Sequence, residues 1–179
     1  MVDLREDPVV NAIYNGIGNG IDVVLNSGCL GSAVILILSA MDTMAYLSMP
    51  DGQDEVKSVD FIAWSGHYIR FPGREQLTGE DLYGARCGML HSYGVRSRMS
   101  RSGKCRIVGY MDKSNPPIRF NPTVSKELVL VSVPALRDAL FEGIDRFLIE
   151  VYKNPRARKA QLVDERLKNL VQNYAADRL

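Results

Sequence analysis

The sequence predicts a mainly α-helical domain carrying a small β-hairpin. Three observations carry that prediction. Apolar residues recur at helical spacing through both ends of the chain. The stretch from Ala33 to Leu47 is almost wholly apolar, as a central bundle helix would be. Between residues 104 and 133 the texture changes to two short β-prone runs separated by Pro116-Pro117. At 179 residues the chain fits one domain, taken as 1–179, with room for a proper core.

The elements follow in order. Asp7 is placed to cap a first helix that has Pro8 in its first turn. Val9, Val10, Ile13, Ile17, Ile21, Val24 and Leu25 continue it, and Asn26-Ser27-Gly28 stops it. Gly16-Ile17-Gly18-Asn19-Gly20 imitates a nucleotide loop, but it lies inside this helical pattern and follows no strand, so a packed or irregular helix is expected. The second helix spans about Gly31 to Leu47 and ends in the turn Met49-Pro50-Asp51-Gly52. A third helix covers Val56 to Ile69, with Val59, Ile62, Ala63 and Trp64 expected inward. Thr78-Gly79-Glu80-Asp81 reads as a capping box with Asp in place of Glu, and it opens a fourth helix that Gly94 stops. Cys105–Tyr110 and Leu128–Val133 read as the strands of an irregular hairpin. Pro134 starts a fifth helix whose inward face holds Leu136, Leu140, Ile144, Phe147, Leu148 and Val151. After Asn154-Pro155 a last helix carries Val163, Leu167, Leu170 and Tyr174 on one stripe.

Composition narrows the chemistry. The formal net charge is +1, so a polyanion site must come from local clustering. The three cysteines, Cys29, Cys87 and Cys105, form no C-x-x-C pair, which favours a reducing compartment; a charged N-terminus with no apolar signal core completes an expectation of a cytoplasmic protein. A spanning helix needs about 20 predominantly apolar residues. Extending the second helix to that length takes in Asp42, which is costly in lipid, so a buried bundle helix is expected and no membrane partner.

The functional signal is Arg86-Cys87-Gly88-Met89-Leu90-His91 on the fourth helix. His91 is one of only two histidines. Histidine moves protons near neutral pH, and arginine holds phosphate through a planar fork of donors. No acidic residue follows until Asp112, and Arg96, Arg98, Arg101, Lys104 and Arg106 lie between, a candidate RNA-binding cluster or a solvated basic loop. Five residues on a helix separate two side chains by about 140°, so Arg86 and His91 share a pocket only if the helix ends or bends near His91, or if two chains pool their sites. Together they form a kit for metal-free cleavage of RNA by its own 2′-hydroxyl. Asp42, alone among apolar neighbours, faces either a partner such as Arg86 or solvent at the helix end. Tyr83 and Tyr93 are candidates for stacking bases, or are core or interface residues. Cys87 and His91 have a spacing that one metal could bridge, but no further ligand is suitably spaced, so neither metal nor cofactor is expected.

The R-x4-H string, on the fourth helix of a mostly helical chain and after a long apolar helix, resembles the HEPN superfamily. The string Leu82-Tyr83-Gly84-Ala85-Arg86-Cys87-Gly88-Met89-Leu90-His91 also looks like a signature of bacterial proteins of unknown role. The resemblance implies a small helical bundle, a homodimer with motifs facing across the interface, and metal-independent ribonuclease activity or RNA binding centred on Arg86 and His91. It also implies a setting among toxin–antitoxin, anti-phage or RNA-processing systems, hence a cognate antitoxin or partner protein. Active members more often carry Asn, Asp or His where this chain has Cys87. The alternative reading is a non-catalytic structural or interaction module of the same fold. The β-strands are an addition to the usual bundle.

Overall fold

The computed structural model describes residues 7–171. It begins as expected: the Asp7 carboxylate accepts from the Val9 and Val10 amides at 2.9 and 3.1 Å and so caps the first helix. That helix has two pitches. Val9–Gly18 is wound as a π-helix and Asn19–Asn26 as an α-helix, α1. The glycine run expected to make it irregular sits at the change of pitch. Gly18 is packed, since a methyl there would meet the Phe141 ring at 3.2 Å. An ion pair at 2.8 Å between Asp22 and Arg137 fastens α1 to the sixth helix.

Helix α2 (Leu30–Ser48) is the centre of the bundle. It is the one helix among the described residues long and apolar enough to cross a membrane, and half of its most apolar window is buried against the other helices. Val34, Ile37, Leu38, Met41, Met44 and Leu47 have no solvent exposure. Its C-terminus is closed from outside: the buried Arg166 guanidinium donates to the carbonyls of Leu47, Met49 and Pro50.

Helix α3 (Ser58–Tyr68) is shorter than expected, and its inward face is different. Phe61, Trp64, Ser65 and Tyr68 are buried, whereas Val59 is 63% exposed and Ala63 faces solvent. The aromatic side chains take the core positions because Trp64 and Tyr68 stack against each other and both pack edge-on against Phe147.

Helix α4 (Gly79–Ser92) opens with the expected capping box. The Thr78 hydroxyl accepts from the Asp81 amide at 3.1 Å, and the Asp81 carboxylate accepts from the Thr78 amide at 3.0 Å. A methyl on Gly79 would lie 2.2 Å from the Ile62 carbonyl, so only glycine lets α4 start this close to α3. The helix stops where expected, but the left-handed residue is Tyr93 (φ 50°, ψ 34°) rather than Gly94. After it the chain folds back along α4. Methyls on Gly88 and Gly84 would meet the Gly94 carbonyl and the Cys105 sulfur at 2.5 and 2.4 Å, so these two glycines form the groove that receives residues 94–105. A single-turn helix, α5 (Arg98–Arg101), lies in this return and is capped by Ser97.

The two expected strands do not pair with each other as a hairpin; a third strand forms between them in sequence, and it is this strand that makes the hairpin with the last one. β1 (Ile107–Met111), β2 (Ile118–Phe120) and β3 (Leu128–Ser132) make a mixed sheet in the order β1-β3-β2. β1 runs parallel to β3, with Val108 opposite Val129 and Tyr110 opposite Val131; β2 runs antiparallel to it. Parallel neighbours need a long crossover, and residues 112–127 supply it while contributing β2 to the far edge. Val129 and Val131 turn inward with no exposure. Ser132 then caps α6 (Val133–Tyr152), its hydroxyl accepting from the Ala135 amide at 3.1 Å, with Pro134 in the first turn. Leu136, Leu140, Ile144, Phe147 and Val151 are buried, and Leu148 is half-buried. Helix α7 (Arg158–Leu167) buries Val163 and Leu167, with Leu170 half-buried beyond its end; Tyr174 lies outside the described residues. The result is a mainly helical domain with a three-stranded sheet at one side.

Candidate functional site

The site is built along the second half of α4, where Arg86 faces Asp42 on α2 and His91 follows in the last turn. Asp42 lies on α2 at the margin of its buried face. Its carboxylate accepts from the Arg86 Nε at 2.8 Å. Both side chains are about a quarter exposed, 25% for Arg86 and 28% for Asp42. The lone carboxylate of the apolar helix therefore has a partner, and that partner is the arginine of the motif. Burial pulls the Arg86 pKa down, but the hydrogen bond and charge of Asp42, with a contribution from Cys87, more than offset it, and the net shift is upward. The guanidinium is fixed in charge and in plane.

His91 occupies the last turn of α4 and is exposed. Its Nε2 lies 3.5 Å from Arg86 Nη1. The angular separation of a five-residue spacing is overcome because the helix ends one residue later, leaving the imidazole free to swing toward the guanidinium. Asp42, Arg86 and His91 thus form a chain: carboxylate, guanidinium, imidazole, running from half-buried to open solvent.

The supporting residues divide. Cys87 is half-buried and adjoins both Tyr83 and Arg86. The Tyr83 ring packs against Phe61 at 5.6 Å between centroids, and burial followed by the charge and hydrogen bonding of Cys87 raises its pKa. Tyr83 is a packing residue between α3 and α4 and has little free face for a base. Tyr93 is the opposite case, 65% exposed at the end of the motif helix.

The basic cluster is smaller than the sequence suggested. Arg106 is withdrawn from it. Its backbone amide and Nε donate to the Asp81 carboxylate at 2.8 and 3.0 Å, its Nη2 donates to the Gln76 carbonyl at 2.8 Å, and its guanidinium stands over the Phe120 ring. Asp81 has only 3% of its side chain exposed, so this pair is a structural tie between α4 and β1. Arg96, Arg98, Arg101 and Lys104 remain exposed, and among the described residues none of the four makes an ion pair. They stand on the return segment that fills the Gly84–Gly88 groove. Arg86 points from the other side of α4, about 160° away from Gly88. Arg86 and the cations are therefore separated by the helix, whereas His91, about 60° from Gly88, projects toward the return segment at the helix's C-terminal end.

Three features of this site had no strong signal in the sequence: the glycine groove, the Ser97 cap that fixes the return segment, and the packing of the Tyr93 ring tip against Gly31 at the start of α2. The pair Gly84 and Gly88 at i, i+4 was the available clue to the first. No cluster of three or more His, Cys, Asp or Glu side chains placed to hold a metal ion occurs among the described residues. No family model, curated protein or solved structure matches the chain.

Proposed function

We propose that this chain is a HEPN-like, metal-independent ribonuclease whose reacting group is His91. The observation that supports it most is the Asp42–Arg86–His91 chain, with contacts of 2.8 and 3.5 Å and an exposed imidazole at its end. His91 takes the proton of a ribose 2′-hydroxyl. The 2′-oxygen attacks the adjacent phosphorus, the bond to the 5′-oxygen breaks, and a 2′,3′-cyclic phosphate remains. Arg86, held at Nε by Asp42, turns its Nη edge toward the phosphoryl oxygens, where charge accumulates. The leaving 5′-oxygen needs a proton, and one protomer offers a single imidazole at the site. A homodimer supplies a second His91 as the acid, which is why we place the active form in a dimer. The exposed cations Arg96, Arg98, Arg101 and Lys104 hold flanking phosphates. The free thiols fit a reducing, cytoplasmic setting.

A second reading rests on one specific feature. Asp42 offsets the charge of Arg86, and Cys87 stands where a further polar group would assist, so the motif of a single protomer is weakly equipped for phosphate. On that reading the domain is a non-catalytic module that binds a cognate antitoxin or another partner protein. A 2′-deoxy substitution at the scissile nucleotide separates the two. The nuclease reading predicts that cleavage stops while binding persists; cleavage that continues without the 2′-hydroxyl contradicts the mechanism.

A further inference from the structure

We infer that Tyr93 is a base-stacking platform that seats one unpaired nucleotide of the substrate beside His91. The inference rests on the ribonuclease reading and names the form of RNA that this site accepts. Four observations carry it.

Tyr93 is two residues beyond His91, and its ring is 65% exposed. It is nevertheless not a free side chain. A methyl built on Gly31, at the start of α2, would stand 1.8 Å from the Tyr93 hydroxyl oxygen and 2.6 Å from its Cζ. The tip of the ring therefore rests on the bare backbone of Gly31, and only glycine permits that seat. A residue serving only to latch α4 to α2 would bury its ring; this one anchors its tip and leaves most of its surface to solvent.

The backbone makes the same point. Tyr93 is the only non-glycine residue with positive φ among the described residues, although Gly94 follows it and would adopt that conformation without cost. The left-handed position aims the side chain back across the helix end toward α2. Shifting it to Gly94 would send Tyr93 elsewhere.

The charges complete the argument. Arg86 and the unpaired cations lie on opposite sides of α4, with His91 between them at the helix end, so a strand touching both Arg86 and the cations crosses that C-terminal end, where Tyr93 stands. Crossing there bends the backbone, and a bent single strand can present an unstacked base to an aromatic ring, whereas a duplex keeps its bases inside. The substrate class is thus single-stranded or looped RNA, with a base on Tyr93 and phosphates reaching Arg96 and Arg98 on one side and Arg86 on the other.

The test measures binding of a short single-stranded RNA, made uncleavable by 2′-deoxy substitution and carrying 2-aminopurine as a stacking reporter. Wild type, Tyr93→Ala, Tyr93→Phe and Gly31→Ala are compared, with circular dichroism and light scattering confirming fold and oligomeric state. The wild type is expected to quench the reporter on binding. Tyr93→Ala should weaken binding about tenfold, the usual worth of one stacked base, and abolish the quench. Tyr93→Phe should restore both, and Gly31→Ala should mimic Tyr93→Ala by unseating the ring. Equal binding and quenching by wild type and Tyr93→Ala overturns the inference and leaves the ribonuclease reading standing. A Tyr93→Ala protein that loses its dimer overturns it in favour of a contact between copies. Wild type that neither binds nor cleaves any RNA overturns both.

Discussion

At the scale of single residues the central fact is that Arg86 is not alone. Asp42 takes its Nε and leaves the Nη edge pointing to His91. Asp42→Asn keeps the shape and removes the charge that fixes the guanidinium plane. Because both partners are partly exposed, the stability cost should be about 1 kcal/mol or less. Cleavage should fall far more, roughly tenfold to a hundredfold, because a small misplacement of a positioned group is expensive in rate. Thermal denaturation beside steady-state kinetics checks the contrast; equal effects on the two would mean that Asp42 is only structural. A second residue-scale prediction concerns Tyr14, which donates to Asp145 on α6. Burial, then the hydrogen bond and charge of Asp145, raises its pKa to about 12. A raised folded value means this contact stabilises the fold fully below pH 10 and loses its contribution as pH climbs toward 12. Tyr14→Phe should therefore be less sensitive than wild type to denaturation across that alkaline window. These contacts differ in how far the sequence revealed them. A lone carboxylate in an apolar helix must find a partner, so the Asp42–Arg86 pair was legible. Arg106 was misread because its partner, Asp81, is 25 residues away and already had a complete local role as a helix cap.

At the scale of elements, α4 is where structure and proposed chemistry meet. Its N-terminus is held by Asp81, whose buried carboxylate serves the capping box and Arg106 together. Asp81→Ala should cost about 3 kcal/mol or more in chemical denaturation, since it removes a cap and leaves a half-buried guanidinium unpaired. Asp81→Asn, which keeps part of the cap, should cost less; equal stability of wild type and Asp81→Ala would show the tie to be dispensable. The helix boundaries of α2, α4 and α6 were readable because caps and stops are written in adjacent residues. The sheet was not. Two β-prone runs look the same whether they pair directly or accept a third strand between them in sequence, and the Ile118–Phe120 strand is too short to register as a pattern. Likewise helical spacing identifies Trp64 but not the rest of the inner face of α3, because Trp64 and Tyr68 satisfy each other and Phe147 across helices, a preference that spacing does not encode.

At the scale of the whole molecule, the fold places a deeply buried helix at the centre and puts the proposed reacting groups at its margin. α2 supplies core residues with no exposure and, one position on from Met41, the carboxylate that orients Arg86. The same helix anchors Tyr93 through Gly31 at its other end, so both sides of the motif are referenced to the central, most apolar helix of the domain. Helix content and the central role of this segment followed from its apolar length. The proposed RNA site does not follow from composition, because a net charge near zero hides a local run of cations whose surplus is balanced elsewhere in the chain. The most direct measurement is cleavage of single-stranded RNA by the purified protein in excess chelator, wild type beside His91→Ala. The account predicts that wild type releases fragments ending in 2′,3′-cyclic phosphate, or its opened product, while His91→Ala folds normally and leaves the RNA intact. Intact RNA with the wild type, or equal cleavage by the variant, would contradict it.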